Sequence, residues 1–178
     1  MNMNVIEPDI LKARILIVDD QPANVQLLEQ LLSQAGYTSV TSTMQPTEVC
    51  PLHEADPYDL ILLDLKMPSM DGFQVMEGLK ANIRPATTLE DHHPGGLPAY
   101  LPVIVLTAEP GHKLRALNAG ARDFISKPFD LIEVKTRIHH MLEVRLLYKK
   151  IAEQNRLLQE TVKERTAMLL LSENRLLE

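Results

Sequence analysis

Four short apolar runs, each stopping at a polar residue with chemistry to offer, constrain this chain more than anything else in it. Asp19 and Asp20 close ARILIVDD, Asp64 closes YDLILLDLKMP, Thr107 closes LPVIVLTAE and Lys127 closes RDFISKPF. The runs are rich in Ile, Leu and Val, and segments long enough for a helix separate them. Uninterrupted apolar runs of this length read as strands buried on both faces of a parallel sheet. In an open α/β sheet, ligands bind just beyond the carboxyl ends of the strands. All five polar residues fall at that edge, so they are expected to share one pocket.

The residue types say what such a pocket can do. Three crowded carboxylates repel and are driven towards protonation unless a cation neutralises them. Hard oxygen ligands suit Mg²⁺, which uses one or two carboxylates and keeps waters for a phosphate to replace. A lysine beside them supplies a point charge for a phosphoryl oxygen, and a threonine hydroxyl adds a donor. A carboxylate can itself be a nucleophile, forming an aspartyl phosphate. The set fits a metal-assisted phosphoryl acceptor.

At these residues the chain resembles the receiver domain of two-component response regulators, the CheY-like family. The resemblance covers residues 13–140 and rests on the Asp19-Asp20 pair, LLDLKMPSMDG, LTA and the Lys127-Pro128 step, in order. It implies a flavodoxin-like, doubly wound five-stranded sheet of order 2-1-3-4-5. It implies that Asp64 accepts a phosphoryl group from a histidine kinase or a phosphotransfer protein. Mg²⁺ would be bound by Asp20, by Asp19 mainly through water, by Asp64 and by the backbone carbonyl of Lys66. Thr107, the Ala108 amide and Lys127 would take the phosphoryl oxygens. Thr107 and Phe124 would form the switch that follows phosphorylation, and the Lys127–Pro128 bond would be cis.

Composition adds limits. The 178 residues suit one domain plus an extension. With 24 acidic against 18 basic residues, there is no electrostatic case for direct nucleic-acid binding. No apolar run approaches the ~18–20 residues that span a membrane, and the N-terminus lacks the apolar core of a signal peptide. The single cysteine, Cys50, excludes an internal disulfide and fits a reducing, cytoplasmic setting.

Strands are expected near 14–19, 38–42, 59–64, 102–107 and 123–126, with residues 1–12 as a tail. Helices fill the intervals: Pro22 to Gly36, a second from Pro46, a third after Asp71-Gly72, and a fourth after Pro110 ending at Asn118-Ala119-Gly120. Proline suits a first helical position and glycine the residue past the end. Residues 81–100 are read as an insertion loop, because Pro85, Pro94, Gly95, Gly96 and Pro98 break regular structure. Its Asp91, His92 and His93 invite a metal reading, against which solvated loop histidines weigh more heavily.

Residues 141–178 form the second organising feature. One heptad register places Met141, Tyr148, Asn155, Val162, Leu169 and Leu176 at a, and Val144, Ile151, Leu158, Arg165 and Ser172 at d. No proline or glycine follows Pro128, so the last helix is expected to run on as a coiled coil, roughly 60 Å long. Asn155 at a favours a parallel homodimer, where its mate satisfies it and fixes the register. Arg165 and Ser172 weaken the last turns. The bland reading is a single helix folded back on its own domain. The narrow apolar stripe speaks for a two-helix seam.

Asp19 and Asp20, taken alone, read as helix caps, and plain core packing of Phe124 stands nearly level with the switch reading. A haloacid-dehalogenase-type phosphatase also uses Asp, Thr and Lys around Mg²⁺, but it expects an Asp-x-Asp motif that VDDQP lacks. Two functions remain. One is a phosphorylation-controlled receiver passing its signal through a dimeric helix to an output module outside this chain; the other is a constitutive dimerisation module with a vestigial receiver.

Overall fold

The five expected strands form a single parallel sheet. In the computed structural model, which describes residues 7–82, 100–109 and 111–176, they are β1 (Arg14–Val18), β2 (Ser39–Thr43), β3 (Leu60–Asp64), β4 (Val103–Thr107) and β5 (Asp123–Ser126). The order is β2-β1-β3-β4-β5, the doubly wound, flavodoxin-like arrangement. Central β3 and β4 are buried at every position, which is why they read as unbroken apolar runs. Edge strand β2 is mostly half-exposed and correspondingly polar, SVTST.

Among the described residues, six helices accompany the sheet: α1 (Glu7–Leu11), α2 (Pro22–Gln34), α3 (Val49–Ala55), α4 (Gly72–Asn82), α5 (His112–Asn118) and α6 (Leu131–Leu176). A short 3₁₀ turn, Pro46–Glu48, leads into α3. Gly36 follows α2 with φ +92, a left-handed residue that ends the helix without a Cβ clash. One face of the sheet packs Ile15, Ile17, Leu62 and Ile125 against Leu28 and Leu32 of α2 and Val134, Ile138 and Leu142 of α6. The other packs Leu16, Leu63 and Val105 against Val49, Val75, Met76 and Ala116.

Two features differ from the sequence expectation. Within residues 1–12, read as a tail, α1 forms and its Ile10 enters the core beneath α6. The packed part of α6 also runs past residue 140, since Leu142 is fully buried and Leu146 rests on the same cluster. Most of the 81–100 insertion, with Asp91, His92 and His93, lies outside the described residues, as do Pro110 and the side chain of Leu176. The Lys127–Pro128 peptide is cis.

Candidate phosphoryl-acceptor site

The strand ends bring Asp19, Asp20 and Asp64 together: each offers a carboxylate oxygen within 4.8 Å of the others. β1 and β3 are adjacent and pair Val18 with Leu63, so the residues that follow them meet at one edge. Asp19 and Asp64 are buried. Lys127, just beyond β5, reaches across this edge and donates to Asp19 Oδ2 at 2.7 Å and Asp64 Oδ1 at 2.9 Å.

Three carboxylates against one ammonium leave two negative charges, which a divalent cation would cancel. Burial pushes the Asp64 carboxyl above its usual range; Lys127 opposes this, and the charges of Asp19 and Asp20 add to it. Burial also pushes the Lys127 ammonium down, but its bonds to Asp19 and Asp64 outweigh that and raise it. Oδ1 of Asp20 is buried without a hydrogen-bond partner, and such a group costs free energy unless something satisfies it. An orphaned carboxylate oxygen beside two more carboxylates fits a hard cation such as Mg²⁺.

Asp19 is held by more than Lys127. Its Oδ1 accepts the Gln21 backbone N–H at 2.9 Å, and Asn24 Nδ2 donates to both of its oxygens at 3.1 and 3.0 Å. Asn24 sits in the first turn of α2, and sequence reasoning missed it. Its only signal was a polar side chain on the helix that starts at this edge. The helix-cap reading of Asp19 is not met: its bond is to the N–H of Gln21, which itself occupies the N-cap position of α2, and the helix has no side-chain cap bond.

Thr107 ends β4 and is buried; its hydroxyl accepts the Glu109 N–H at 3.1 Å, and its carbonyl accepts the Lys127 N–H at 2.9 Å. Ala108 follows, exposed. Lys66 projects into solvent and forms an ion pair with Glu109, which also lies 3.1 Å from His112 Nε2. Lys66 and His112, the two partners of Glu109, line a cleft of about 420 Å³ whose walls also include Asp20, Phe73 and Arg115. Gly72 closes the loop behind Asp64. A Cβ there would lie 2.5 Å from the Asp64 carbonyl oxygen.

Phe124, on β5 opposite Val105, is half-buried and packs on the second core cluster. Lys113 Nζ lies 4.6 Å from its ring centroid and the Arg137 guanidinium 5.5 Å. The seam residues are far from the acid cluster, on α6. Leu158, Val162 and Leu169 are exposed, Ile151 and Asn155 half-buried, and Val144 and Tyr148 border on exposed. Met141 rests against the core.

Residues 15–139 match the model of the response regulator receiver domain. The chain belongs to that family. Among curated relatives, it is 34% identical over 146 residues to the response regulator PleD of Caulobacter vibrioides, covering 81% of this chain and 29% of PleD. A Vibrio cholerae protein named as a probable cyclic di-GMP phosphodiesterase is 30% identical over 163 residues, covering 90% of this chain and 34% of that protein. The receiver thus spans about a third or less of these relatives. The crystal structure of the receiver domain of sensor histidine kinase PA1611 from Pseudomonas aeruginosa, with magnesium in its active-site cleft, superposes with a TM-score of 0.58. It is 27% identical and covers 74% of this chain and 98% of that one. Among the described residues, no helix is long and apolar enough to cross a membrane.

Proposed function

We propose that this receiver accepts a phosphoryl group on Asp64 from the phosphohistidine of a histidine kinase or phosphotransfer protein. The observation that carries the reading is the cluster of buried Asp19 and Asp64 with half-buried Asp20, and Lys127 bonded across the two buried members. An Asp64 oxygen attacks phosphorus in line; the P–N bond breaks as the P–O bond forms, and the imidazole leaves with a proton. Asp19, Asp20, Asp64 and the Lys66 carbonyl would hold Mg²⁺, which would supply charge neutralisation at the phosphoryl oxygens. Lys127 turns from Asp64 to one of those oxygens, and Thr107 and the Ala108 amide donate to others.

Thr107 and Phe124 then move together and reshape the surface of α5, β5 and α6. Because α6 is continuous, that change reaches residues 141–178. These pair as a parallel coiled coil through Met141, Val144, Tyr148, Ile151, Asn155, Leu158, Val162 and Leu169, in a chain working in the cytoplasm. The partner beyond α6 is an output module of the longer protein, in keeping with relatives that are about three times the length of the matched region. The experiment is phosphotransfer from a phosphohistidine donor protein with Mg²⁺. Label should reach the chain, disappear with chelator and fail to reach Asp64→Asn. Equal labelling of Asp64→Asn would overturn the assignment.

A further inference from the structure

The strand that ends at Asp64 begins beside a second buried carboxylate. Asp59 immediately precedes β3 and is 4% exposed, about 17 Å from Asp64 along the strand. Its Oδ2 accepts the Arg14 N–H at 3.0 Å, and its Oδ1 accepts Lys149 Nζ at 2.8 Å. Arg145 Nε lies 3.6 Å from the same oxygen. Arg145 and Lys149 are four residues apart on α6 and therefore share a face.

Tyr100 gives this face a second anchor. Its ring stacks on Tyr148 with centroids 4.6 Å apart and planes 18° from parallel. Its hydroxyl donates to Met141 Sδ at 3.4 Å, and its carbonyl accepts from Arg145 Nη1. The Arg122 guanidinium covers the ring at 4.8 Å. The first two a positions of the heptad register, Met141 and Tyr148, are therefore engaged by their own receiver. Below them the situation changes: Leu158, Val162 and Leu169 are each more than 60% exposed.

Helix geometry makes the two uses of these residues compete. At about 100° per residue, Met141 and Tyr148 lie between the face that meets Asp59 and the face that carries Ile151, Asn155 and Leu158. A second helix seated on the a and d positions must bury Tyr148 against itself, where Tyr100 now stacks. We propose that Asp59, Arg145, Lys149, Tyr100 and Tyr148 form a clasp that sets where α6 becomes available to a second copy of this chain. With the clasp closed, the paired seam begins at Ile151. When the clasp opens, pairing extends back through Val144 to Met141. The inference rests on the parallel coiled-coil reading.

The test uses the full chain with Cys50→Ser, carrying either Val144→Cys or Leu158→Cys, both d positions that face their mates across a parallel coil. Under mild oxidation Leu158→Cys should give disulfide-linked dimer readily and Val144→Cys poorly. Adding Lys149→Met, at a half-exposed side chain, or Tyr100→Ala should raise the Val144→Cys yield severalfold and leave Leu158→Cys unchanged. Efficient Val144→Cys crosslinking with the clasp intact, or a low yield that neither variant raises, would overturn the clasp alone. No crosslinking at Leu158→Cys in any background would overturn the coil reading and the clasp with it.

Discussion

The Lys127 ammonium lies 2.9 Å from Oδ1 of Asp64 and ties the end of β5 to the end of β3 across an intervening strand. It also reaches Asp19 at 2.7 Å, so one cation is shared between two buried carboxylates. Its raised pKa means that its contribution to stability is complete below its unfolded value, about 10.4, and is lost only as pH rises through the higher folded value. The ion pair therefore persists throughout the physiological range.

Asp64 has the same sign of pH dependence, but in a range where its charged form is the one present at neutral pH. Burial raises its pKa above the ordinary carboxyl value. A carboxyl so shifted stabilises the fold below its unfolded value, about 4, and loses that contribution as pH rises through the folded value. At neutral pH without metal, the Asp64 charge opposes folding. Asp64→Asn should raise the Tm at pH 7 in chelator, and the gain should shrink as pH approaches 4 and when Mg²⁺ is added. Thermal melts across that range check it; a lowered Tm at pH 7 would contradict the raised pKa.

The Lys66–Glu109 bridge lies beside the cleft lined by Asp20 and Lys66, and on the phosphoryl-acceptor reading it hinders the water that hydrolyses the aspartyl phosphate. Lys66→Ala removes a well-exposed side chain, so stability should change by no more than about 0.5 kcal/mol. The aspartyl phosphate should nevertheless decay severalfold faster. Decay measured by loss of the phosphorylated mass decides it, and an unchanged lifetime would sink the idea that the bridge hinders water.

Gly72 is required by close approach. An added Cβ would lie 2.5 Å from the Asp64 carbonyl oxygen and 3.0 Å from Leu65 Cα, both backbone atoms with little room to yield. Gly72→Ala should destabilise the fold by about 1–3 kcal/mol and slow phosphorylation by displacing the Asp64 loop. Urea unfolding and phosphorylation rates test the two effects.

Asn155 at an a position specifies register and strand number at some cost in stability. Asn155→Leu should tighten association and loosen its specificity, giving a mixture of assemblies. Sedimentation equilibrium would show the change, and an unaltered single dimer would argue against Asn155 in the seam.

Much of this architecture was legible because burial on both faces leaves an unmistakable mark. β3 and β4 read as unbroken aliphatic runs, and their observed ends lie within one residue of expectation. β2 lies one residue later than its expected span, since SVTST, lying at the edge, carries little apolar signal. α1 was not anticipated: five residues with Ile10 as the buried side chain show no periodicity. The convergence of Asp19, Asp20, Asp64 and Lys127 followed from strand ends sharing one edge. Asn24 escaped, because one asparagine in a first turn carries no pattern. The Asp59–Lys149 contact joins residues 90 apart, and long-range ion pairs leave no trace in local sequence. The heptad register likewise gave no hint that Tyr148 stacks on Tyr100.

The most direct measurement is intact mass with solution molar mass, on the full chain and on Asp64→Asn, with and without acetyl phosphate and Mg²⁺. A single phosphoryl adduct that requires Mg²⁺ and is absent from Asp64→Asn is the predicted result, on a chain whose molar mass is that of a dimer. An adduct that persists in Asp64→Asn, or no adduct on the parent chain under any condition, would contradict the account.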